Sequence, residues 1–362
     1  MWKDIVTLWE KQKYDNPIIE LSLKLGIPAA AKDLGIDEKE LVYQIERARW
    51  LVDFKYFAEN DLWIEPKIGA VCKFKLNTPQ RKLLAARERQ MLKGKPVRIR
   101  MLKARQWGGS TETQGWIFAD VILRASRRAM TVAHSIESAT HLRDMSERYY
   151  NRYDQRKPVL KISTDKTWKF NHSIEKRITP SLMRIDTADN VGAGHSFTSN
   201  NLHASEIQLW KHADTILRGL LPMIPDSPDT MILQEGTGSG VGDFWYELVE
   251  EARSGETEWE FVFVAWYELD DTIMPFEDGR KIAFEKSLDS EEKILLEKGI
   301  SLERLNWRRY SLNNKYKGDP DGFKQQYPSD PDEAFLTSGR PVFHAETVKK
   351  RLVESHEPLK IG

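Results

Sequence analysis

The sequence contains a single cysteine, Cys72, among its 362 residues. One thiol excludes an internal disulfide and leaves no partner for a cysteine-bound metal cluster, so the chain suits a reducing compartment. No apolar run approaches the ~20 residues that a membrane-spanning helix needs. The N-terminus alternates charged and apolar residues where a signal peptide would carry a continuous apolar core. With no histidine pairs at ligand spacing, no repeats and no low-complexity tracts, we expect a globular chain without a membrane partner.

The formal charge cancels, because 55 Lys and Arg balance 55 Asp and Glu, which excludes a uniformly basic nucleic-acid-binding surface. Charge is nevertheless segregated along the chain. The segment Arg81–Arg105 has ten basic residues and one acid, whereas Gly242–Ile300 has seventeen acids and six bases. This pattern predicts a positive face for a polyanion, with the acidic half turned toward protein partners or a neighbouring subunit. The alternative is that both segments are ordinary solvated helix faces.

The pattern of apolar and charged residues divides the chain into three predicted parts. Residues 1–70 form an N-terminal helical extension, in which Asp37 is placed to cap a helix. Residues 71–275 alternate short apolar strands with helices, as βαβ units do, and include an antiparallel insertion over residues 160–189. Residues 276–362 are a charged helical and linker subdomain. The fold class is therefore α/β, with helices flanking a mainly parallel central sheet.

The stretch KARQWGGST, Lys103–Thr111, lies between a predicted strand and a predicted helix. A phosphate-binding loop needs converging backbone N–H groups, a helix directly after it, a cation, and a hydroxyl for Mg²⁺. On the usual pattern G-x-x-x-x-G-K-S/T, Gly109 takes the lysine position and Lys103 takes the first glycine position. An ammonium entering from the strand end could reach the same phosphate oxygens, and Arg105 is a second candidate. The alternative is a plain turn in which Gly108 and Gly109 supply conformational freedom.

Three other stretches offer groups that an ATPase needs. Glu206 follows a predicted strand and could orient the attacking water, whereas its neutral neighbour Ser205 could support a metal shell only by hydrogen bonding. Thr237, in a small-residue loop after another strand, could sense the γ-phosphate. The amide of Gln80 could donate and accept toward an adenine edge. Each signal is weak alone, but their order and spacing support one another.

Together these stretches resemble the ATPase domain of a large terminase, the DNA-packaging motor subunit of tailed bacteriophages. The resemblance spans about residues 74–343. It is carried by FKLNTPQ, KARQWGGST, HSFTSNNLHASEIQLW, MILQEGTGSGVGDFWYEL and GFKQQYPSDPDEAFLTSGRPVF. It implies an ASCE-type P-loop NTPase fold, ATP hydrolysis with Mg²⁺, and translocation of double-stranded DNA into a procapsid.

The resemblance also implies a role for each candidate residue. Glu206 would be the catalytic carboxylate, Lys103 the catalytic cation, Thr237 the coupling residue and Gln80 the reader of adenine. The phosphates would be bound by Lys103, Arg105, Gln106, Trp107, Gly108, Gly109, Ser110 and Thr111. The metal would be supported by Ser110, Ser205 and Glu206. Many relatives have an arginine finger where this chain has His195, so the open substitutes are Arg143, Arg148 and Arg218.

The partners that the resemblance implies are double-stranded DNA bound without sequence specificity, a portal protein, a small terminase subunit and further copies in a ring, all in the host cell cytoplasm. The family's nuclease domain would only be starting at Gly362, so no nuclease activity is expected from these residues. Two alternatives stay open. A P-loop helicase or repair translocase predicts strand separation, and a non-catalytic DNA-binding protein predicts no ATP turnover.

Overall fold

The computed structural model of the protein describes residues 17–174, 177–190 and 198–335. The helices are α1 Pro17–Leu25, α2 Ile27–Leu34, α3 Glu38–Val52, α4 Phe54–Asp61, α5 Thr78–Leu92, α6 Gly109–Leu123, α7 Ile136–Arg152, α8 Ala213–Leu220, α9 Phe244–Ser254, α10 Arg280–Lys286, α11 Ser290–Glu297, α12 Leu302–Lys315 and α13 Pro320–Gln326. The strands are β1 Trp63–Ile64, β2 Cys72–Lys73, β3 Val97–Lys103, β4 Arg128–Ala133, β5 Val159–Ser163, β6 Thr167–Ile174, β7 Arg177–Thr187, β8 Asn201–Ser205, β9 Met231–Gly236 and β10 Glu260–Val264.

The central sheet has eight strands in the order β10-β3-β9-β8-β4-β7-β6-β5. The strands from β10 to β7 run parallel to one another, whereas β6 is antiparallel to both β5 and β7. The predicted antiparallel insertion is thus confirmed, and β10 forms one edge of the sheet. β9 lies between β3, which leads into the glycine loop, and β8, which ends beside Glu206. An extra strand at this place characterises the ASCE class of P-loop NTPases, so the predicted fold class is confirmed.

Local signals fix the starts of several helices. The Asp37 carboxylate accepts hydrogen bonds from the backbone N–H groups of Lys39 and Glu40, which confirms the predicted cap of α3. At α5, Asn77 and Gln80 form a reciprocal capping box with Pro79 in the first turn. Such side chains satisfy N–H groups that a helix start leaves without partners. The second cap holds α5 directly against the glycine loop.

Apolar residues cover both faces of the sheet, as a parallel sheet requires. Every residue of β3 is buried, and its apolar side chains are divided between two core clusters. Ile99 belongs to the cluster that includes α6, and Leu102 to the cluster that includes α8 and α9. Trp50 of α3 packs in the first cluster, so the N-terminal helices help to bury the sheet. The predicted domain boundaries at residues 70 and 275 stay predictions.

The two segments of opposite charge face each other across the edge of the sheet. β3 lies beside β10, which brings the basic segment against the acidic one. Their ion pairs are Lys82–Glu268, Arg89–Glu260, Arg98–Glu258 and Arg100–Glu251. The Arg98 and Arg100 side chains are almost fully buried. This corrects two expectations, because Arg81–Arg105 is not a free positive face and the acidic segment does not simply turn outward.

Two further features frame the site. Strand β1 lies within residues 1–70, which were expected to be helical, and it pairs with β2 just after that part of the chain. The helical prediction is therefore wrong for Trp63–Ile64. Between residues 276 and 335 the helices α10 to α13 agree with the predicted helical character, whereas residues 336–362 of that prediction lie outside the described residues. None of the helices in the described ranges combines the length and the apolar character needed to cross a bilayer.

Candidate functional site

The carboxyl ends of β3, β8 and β9 meet at one edge of the sheet and carry the predicted site residues. Lys103 closes β3, Ser205 closes β8 with Glu206 directly after it, and Thr237 follows β9. The Lys103 Nζ atom lies 2.5 Å from Glu206 Oε1, so the structure brings together two residues that are far apart in sequence. Ligands of open α/β sheets bind at this edge.

Lys103 is a buried cation held between two carboxylates. Its side chain is only 5% exposed, and Nζ is 3.8 Å from Glu235 Oε2 as well as bonded to Glu206. Burial alone would lower the pKa of Lys103, but the two neighbouring carboxylates outweigh it and raise that pKa. The side chain is therefore an ammonium, as a phosphate-binding role needs.

Glu235 is a functional candidate that the sequence interpretation missed. It is fully buried at the end of β9, and its Oε1 accepts hydrogen bonds from Ser110 Oγ at 3.0 Å and Ser205 Oγ at 3.1 Å. Burial would raise the pKa of Glu235, but the charge of Lys103 and the hydrogen bond from His203 overcome it and lower that pKa. The available signal was the acid two residues before Thr237, in a stretch where only the threonine was singled out.

A buried polar chain positions Glu235 from behind. His203 Nε2 lies 2.9 Å from Glu235 Oε1, and His203 Nδ1 lies 2.9 Å from Gln114 Nε2. The Gln114 amide nitrogen is a donor, so Nδ1 accepts and Nε2 donates to the carboxylate. Ser146 of α7 in turn donates to Gln114 Oε1 at 3.3 Å. Helices α6 and α7 thereby fix the direction of this carboxylate.

The N-terminus of α5 holds the glycine loop in place. Gln80 Nε2 donates to the Gly108 carbonyl at 2.8 Å, and Asn77 Nδ2 donates to the Trp107 carbonyl at 2.8 Å. Gly108 has a left-handed φ of 89°, which side chains rarely adopt. Because Gln80 Oε1 also accepts from the Asn77 backbone, both ends of its amide are engaged. The contact of Gln80 with adenine stays a prediction. It would require adenine to replace one of the present hydrogen-bond partners of the Gln80 amide.

Trp107 explains physically why the loop carries glycine at the usual lysine position. Its indole is buried over Gly109, and a Cβ added to Gly109 would lie 1.8 Å from Trp107 Cζ2. No side chain of any kind fits there without moving the ring. The cation therefore has to reach the site from another backbone position, and Lys103 at the end of β3 does so.

A cavity of about 620 Å³ opens over the loop, within the size range of ligand pockets. It is lined by Lys103, Arg105, Gln106, Trp107, Gly108, Gly109, Ser110, Thr111 and Glu206, together with residues of α7 and the β1–β2 region. The predicted phosphate-binding residues other than Gln80 thus surround one space. A second cavity shares Ser110 and Glu206 with it and extends to Ser205 and Thr237. The structure thereby brings the predicted catalytic and phosphate-binding residues around one continuous region.

Gln208 links the predicted catalytic and coupling residues and was also missed from the sequence. Its Nε2 donates to Glu206 Oε2 at 2.6 Å and to Thr237 Oγ1 at 2.9 Å. Glu206 itself has a left-handed φ of 56°, which is uncommon for a residue with a side chain. Strained backbone of this kind concentrates at functional sites. The only sequence signal for Gln208 is its position two residues after Glu206.

The arginine-finger candidates differ in where they lie. Arg148 lines the cavity over the loop and pairs with Glu65. Arg143 instead lies 3.8 Å from Glu147 and from Asp165. Arg218 is exposed on α8, and His195 lies outside the described residues.

The donor set suits a magnesium ion that arrives with phosphates. No cluster of three or more His, Cys, Asp or Glu side chains arranged for a metal occurs in residues 17–174, 177–190 and 198–335. The cavity instead offers the Ser110 hydroxyl and the Glu206 carboxylate, and Glu235 Oε2 is buried without a hydrogen-bond partner among the described residues. Mg²⁺ is commonly held by one or two carboxylates plus substrate phosphates. The residues fit that mode.

Comparison with solved structures finds large terminases. The Thermus phage P74-26 large terminase ATPase domain matches with a TM-score of 0.47 and 15% identity, over 71% of this chain and 94% of that one. The large terminase from another thermophilic bacteriophage, in complex with ADP, matches with a TM-score of 0.41 and 8% identity, over 60% and 51% of the two chains. Its complex with ATP-gamma-S matches with a TM-score of 0.36 and 6% identity, over 54% and 45%. No family model and no curated protein matches the chain.

Proposed function

We propose that the chain is the ATP-hydrolysing motor domain of a viral DNA-packaging terminase, which moves double-stranded DNA into a procapsid. One observation carries the proposal. The ammonium of Lys103 lies 2.5 Å from the carboxylate of Glu206, and both line the cavity over the glycine loop at the start of α6. Phosphoryl transfer to water needs a cation, an acid and loop N–H groups, and all three lie here at the carboxyl end of a parallel sheet.

In the proposed reaction, Lys103 and the N–H groups at the start of α6 stabilise the charge that builds up on the phosphate oxygens. The triphosphate competes with Glu206 for the ammonium, and its binding frees the carboxylate. Glu206 then orients a water molecule in line with the γ-phosphorus. Mg²⁺ would be held by the Ser110 hydroxyl together with the phosphates of the substrate, and it would supply positive charge that offsets the charge building up during the transfer.

The contacts around Thr237 offer a route from hydrolysis to movement. Gln208 connects Thr237 to Glu206 by hydrogen bonds, so loss of the γ-phosphate would change the contacts of the loop after β9. That loop touches the C-terminal segment, because the Ala334 carbonyl faces Gly238 so closely that an added Cβ would lie 1.8 Å away. The Arg105 N–H, in the glycine loop, donates to the Gln326 carbonyl of α13. We therefore propose that helix α13 and the residues from there to 335 move when ATP is hydrolysed.

The proposed DNA contact is electrostatic and independent of sequence, because a packaging motor must accept any base order. The basic segment Arg81–Arg105 is a poor candidate, since much of its charge is paired within the chain.

Arg218 is exposed, and the described residues contain no hydrogen-bond or ionic partner for it, so it is free to reach a neighbouring subunit in a ring. The portal protein, the small terminase subunit and the host cytoplasm are proposed from the sequence resemblance.

The test is ATP turnover by the full chain with and without duplex DNA. We expect Lys103→Ala and Glu206→Gln each to lower turnover by roughly a hundredfold or more, with ATP binding retained in Glu206→Gln. Lys95→Ala and Glu256→Gln are matched controls on exposed side chains and should leave turnover unchanged. Full activity in Lys103→Ala would pass the cation role to Arg105 or refute the loop assignment, and wild-type protein without turnover would refute the motor.

The same preparations distinguish a packaging motor from a helicase. We expect ATP-dependent displacement of a third strand from triplex DNA, since a translocating motor clears its path without opening the duplex. Separation of a forked duplex into single strands would instead support the helicase interpretation.

A further inference from the structure

We propose that Glu235 supplies the carboxylate that supports Mg²⁺ beside Ser110, in the role that Ser205 cannot fill. This inference rests on the proposed function, because the ion would arrive with ATP. Ser205 stands where a P-loop ATPase usually has the acid of its metal site, and a neutral hydroxyl cannot offset the charge of a divalent ion. The site would otherwise have a hydroxyl ligand with no acid behind it.

The contacts of Glu235 match those of the expected acid. Its Oε1 accepts from Ser110 Oγ, the hydroxyl at the metal position of the loop, at 3.0 Å. It also accepts from Ser205 Oγ at 3.1 Å, so the serine is joined to the acid that replaces it. The second oxygen, Oε2, is buried with no hydrogen-bond partner in the described part of the chain. A buried carboxylate oxygen without a hydrogen bond is costly even with the Lys103 ammonium 3.8 Å away, and an ion or its water would satisfy it.

The register of the sheet explains how an acid on β9 can take the place of the acid that is usually found at the end of β8. Ser205 of β8 pairs directly with Glu235 of β9. Residues that face each other on neighbouring strands project to the same side of a sheet. A glutamate side chain is long enough to bring its oxygens in front of the shorter serine. The two positions therefore present one hydroxyl and one carboxylate to the same point beside Ser110.

The groups behind Glu235 hold it as outer-sphere residues hold a metal-site carboxylate. His203 is fully buried and donates to Oε1, and Gln114 fixes the ring from its other nitrogen. The Lys103 Nζ atom lies 3.8 Å from Oε2. The carboxylate is thus oriented through Oε1, and its Oε2 makes no hydrogen bond within the described residues. Such support is typical of residues that tune a metal site.

The test measures ATP-gamma-S affinity of the full chain by calorimetry in excess Mg²⁺ and again in EDTA. We expect Glu235→Gln to reduce the Mg²⁺-dependent gain in affinity by roughly tenfold or more. In EDTA the same variant should bind at least as tightly as wild type, because a negative charge near the phosphates is gone. Adding Ser205→Asp to Glu235→Gln should restore part of the gain. Glu292→Gln, a buried glutamate of α11 that pairs with Arg309, is the matched control.

Each outcome decides the inference. An unchanged Mg²⁺-dependent gain in Glu235→Gln would overturn it, and so would an equal loss of affinity in Mg²⁺ and in EDTA, which would indicate a purely structural role. If Glu235→Gln does not fold, Glu235→Asp keeps the charge beside Lys103 but withdraws the oxygens from Ser110, and an unchanged gain there would also overturn it. Wild-type protein that binds no ATP-gamma-S in either condition would refute the proposed function itself.

Discussion

Gly109→Ala tests whether the indole of Trp107 excludes every side chain from the usual lysine position. An added Cβ would lie 1.8 Å from Cζ2, 2.4 Å from Cε2 and 2.5 Å from Cη2 of that ring. Carbon atoms in contact stay about 3.5 Å apart, so the buried ring would have to shift by roughly 1.7 Å. We set the overpacking cost at about 3 kcal/mol. Alanine gains up to about 1 kcal/mol over glycine in a helix, which leaves a net loss of about 2 kcal/mol.

A double-mutant cycle isolates this contact. In a Trp107→Leu background the space is open, and Gly109→Ala should then cost nothing or stabilise the protein slightly. The coupling free energy between the two positions should be about 2–3 kcal/mol, as for residues in direct contact. Gly115→Ala in the same helix is a matched control, because its added Cβ would lie 3.0 Å from Phe54 Cζ and should cost less.

The assay is urea unfolding, monitored by tryptophan fluorescence and circular dichroism. The free energies of unfolding are compared between variants whose m-values, the slopes against urea concentration, are equal. The same set can include Gly109→Lys in a Lys103→Ala background, which should not recover ATP turnover because the new side chain has no room. A Gly109→Ala cost that is as large in the Trp107→Leu background as in wild type would refute the packing explanation. Recovered turnover in the lysine variant would refute it as well.

Three further predictions follow from the site. Gln208→Ala should lower the maximal rate of ATP turnover about tenfold with little change in KM, because Gln208 orients Glu206 rather than binding substrate; a change confined to KM would contradict this. Glu112 is buried with no hydrogen-bond partner among the described residues, and burial raises its pKa well above the usual value. The protonated carboxyl contributes its full stability below about pH 4, and this contribution is lost as pH rises. Urea unfolding should therefore show Glu112→Gln gaining stability over wild type by up to about 1.4 kcal/mol per pH unit as pH rises above about 5; a constant difference would exclude this ionisation. Arg148→Ala should lower turnover roughly tenfold, since Arg148 lines the loop cavity, whereas Arg156→Ala, on a surface arginine, should not; equal effects of the two would argue against a role in the site.

The sequence predicted the features that depend on neighbouring residues. The cap at Asp37 involves groups within three residues, and the strand pattern of residues 160–189 is a property of each strand by itself. The relation between Lys103 and Glu206 was also predictable, because the carboxyl ends of parallel strands meet at one edge. What these features share is that chain connectivity or a general rule of sheets determines them.

The features that were missed depend on long-range register. Glu235 matters because it pairs opposite Ser205, and a shift of β9 by one residue would turn it to the other face of the sheet. The charges of Arg81–Arg105 look like a surface until β10 is known to lie beside β3. Similarly, the covering of Gly109 by Trp107 depends on how the loop folds, which is not visible in the spacing of its glycines.

The position of β3 in the sheet has a consequence for how the chain folds. Both of its neighbours, β9 and β10, come much later in the sequence, so ribosomes must synthesise as far as Gly236 before one edge of β3 can be covered and as far as Val264 before both can. Pairings between such distant segments form slowly, and an exposed apolar strand is prone to aggregate meanwhile. β3 carries Arg98, Arg100 and Lys103 among its apolar residues, and charges so placed act as gatekeepers. The cations that become buried in the finished sheet thus also protect the nascent chain from pairing with another copy.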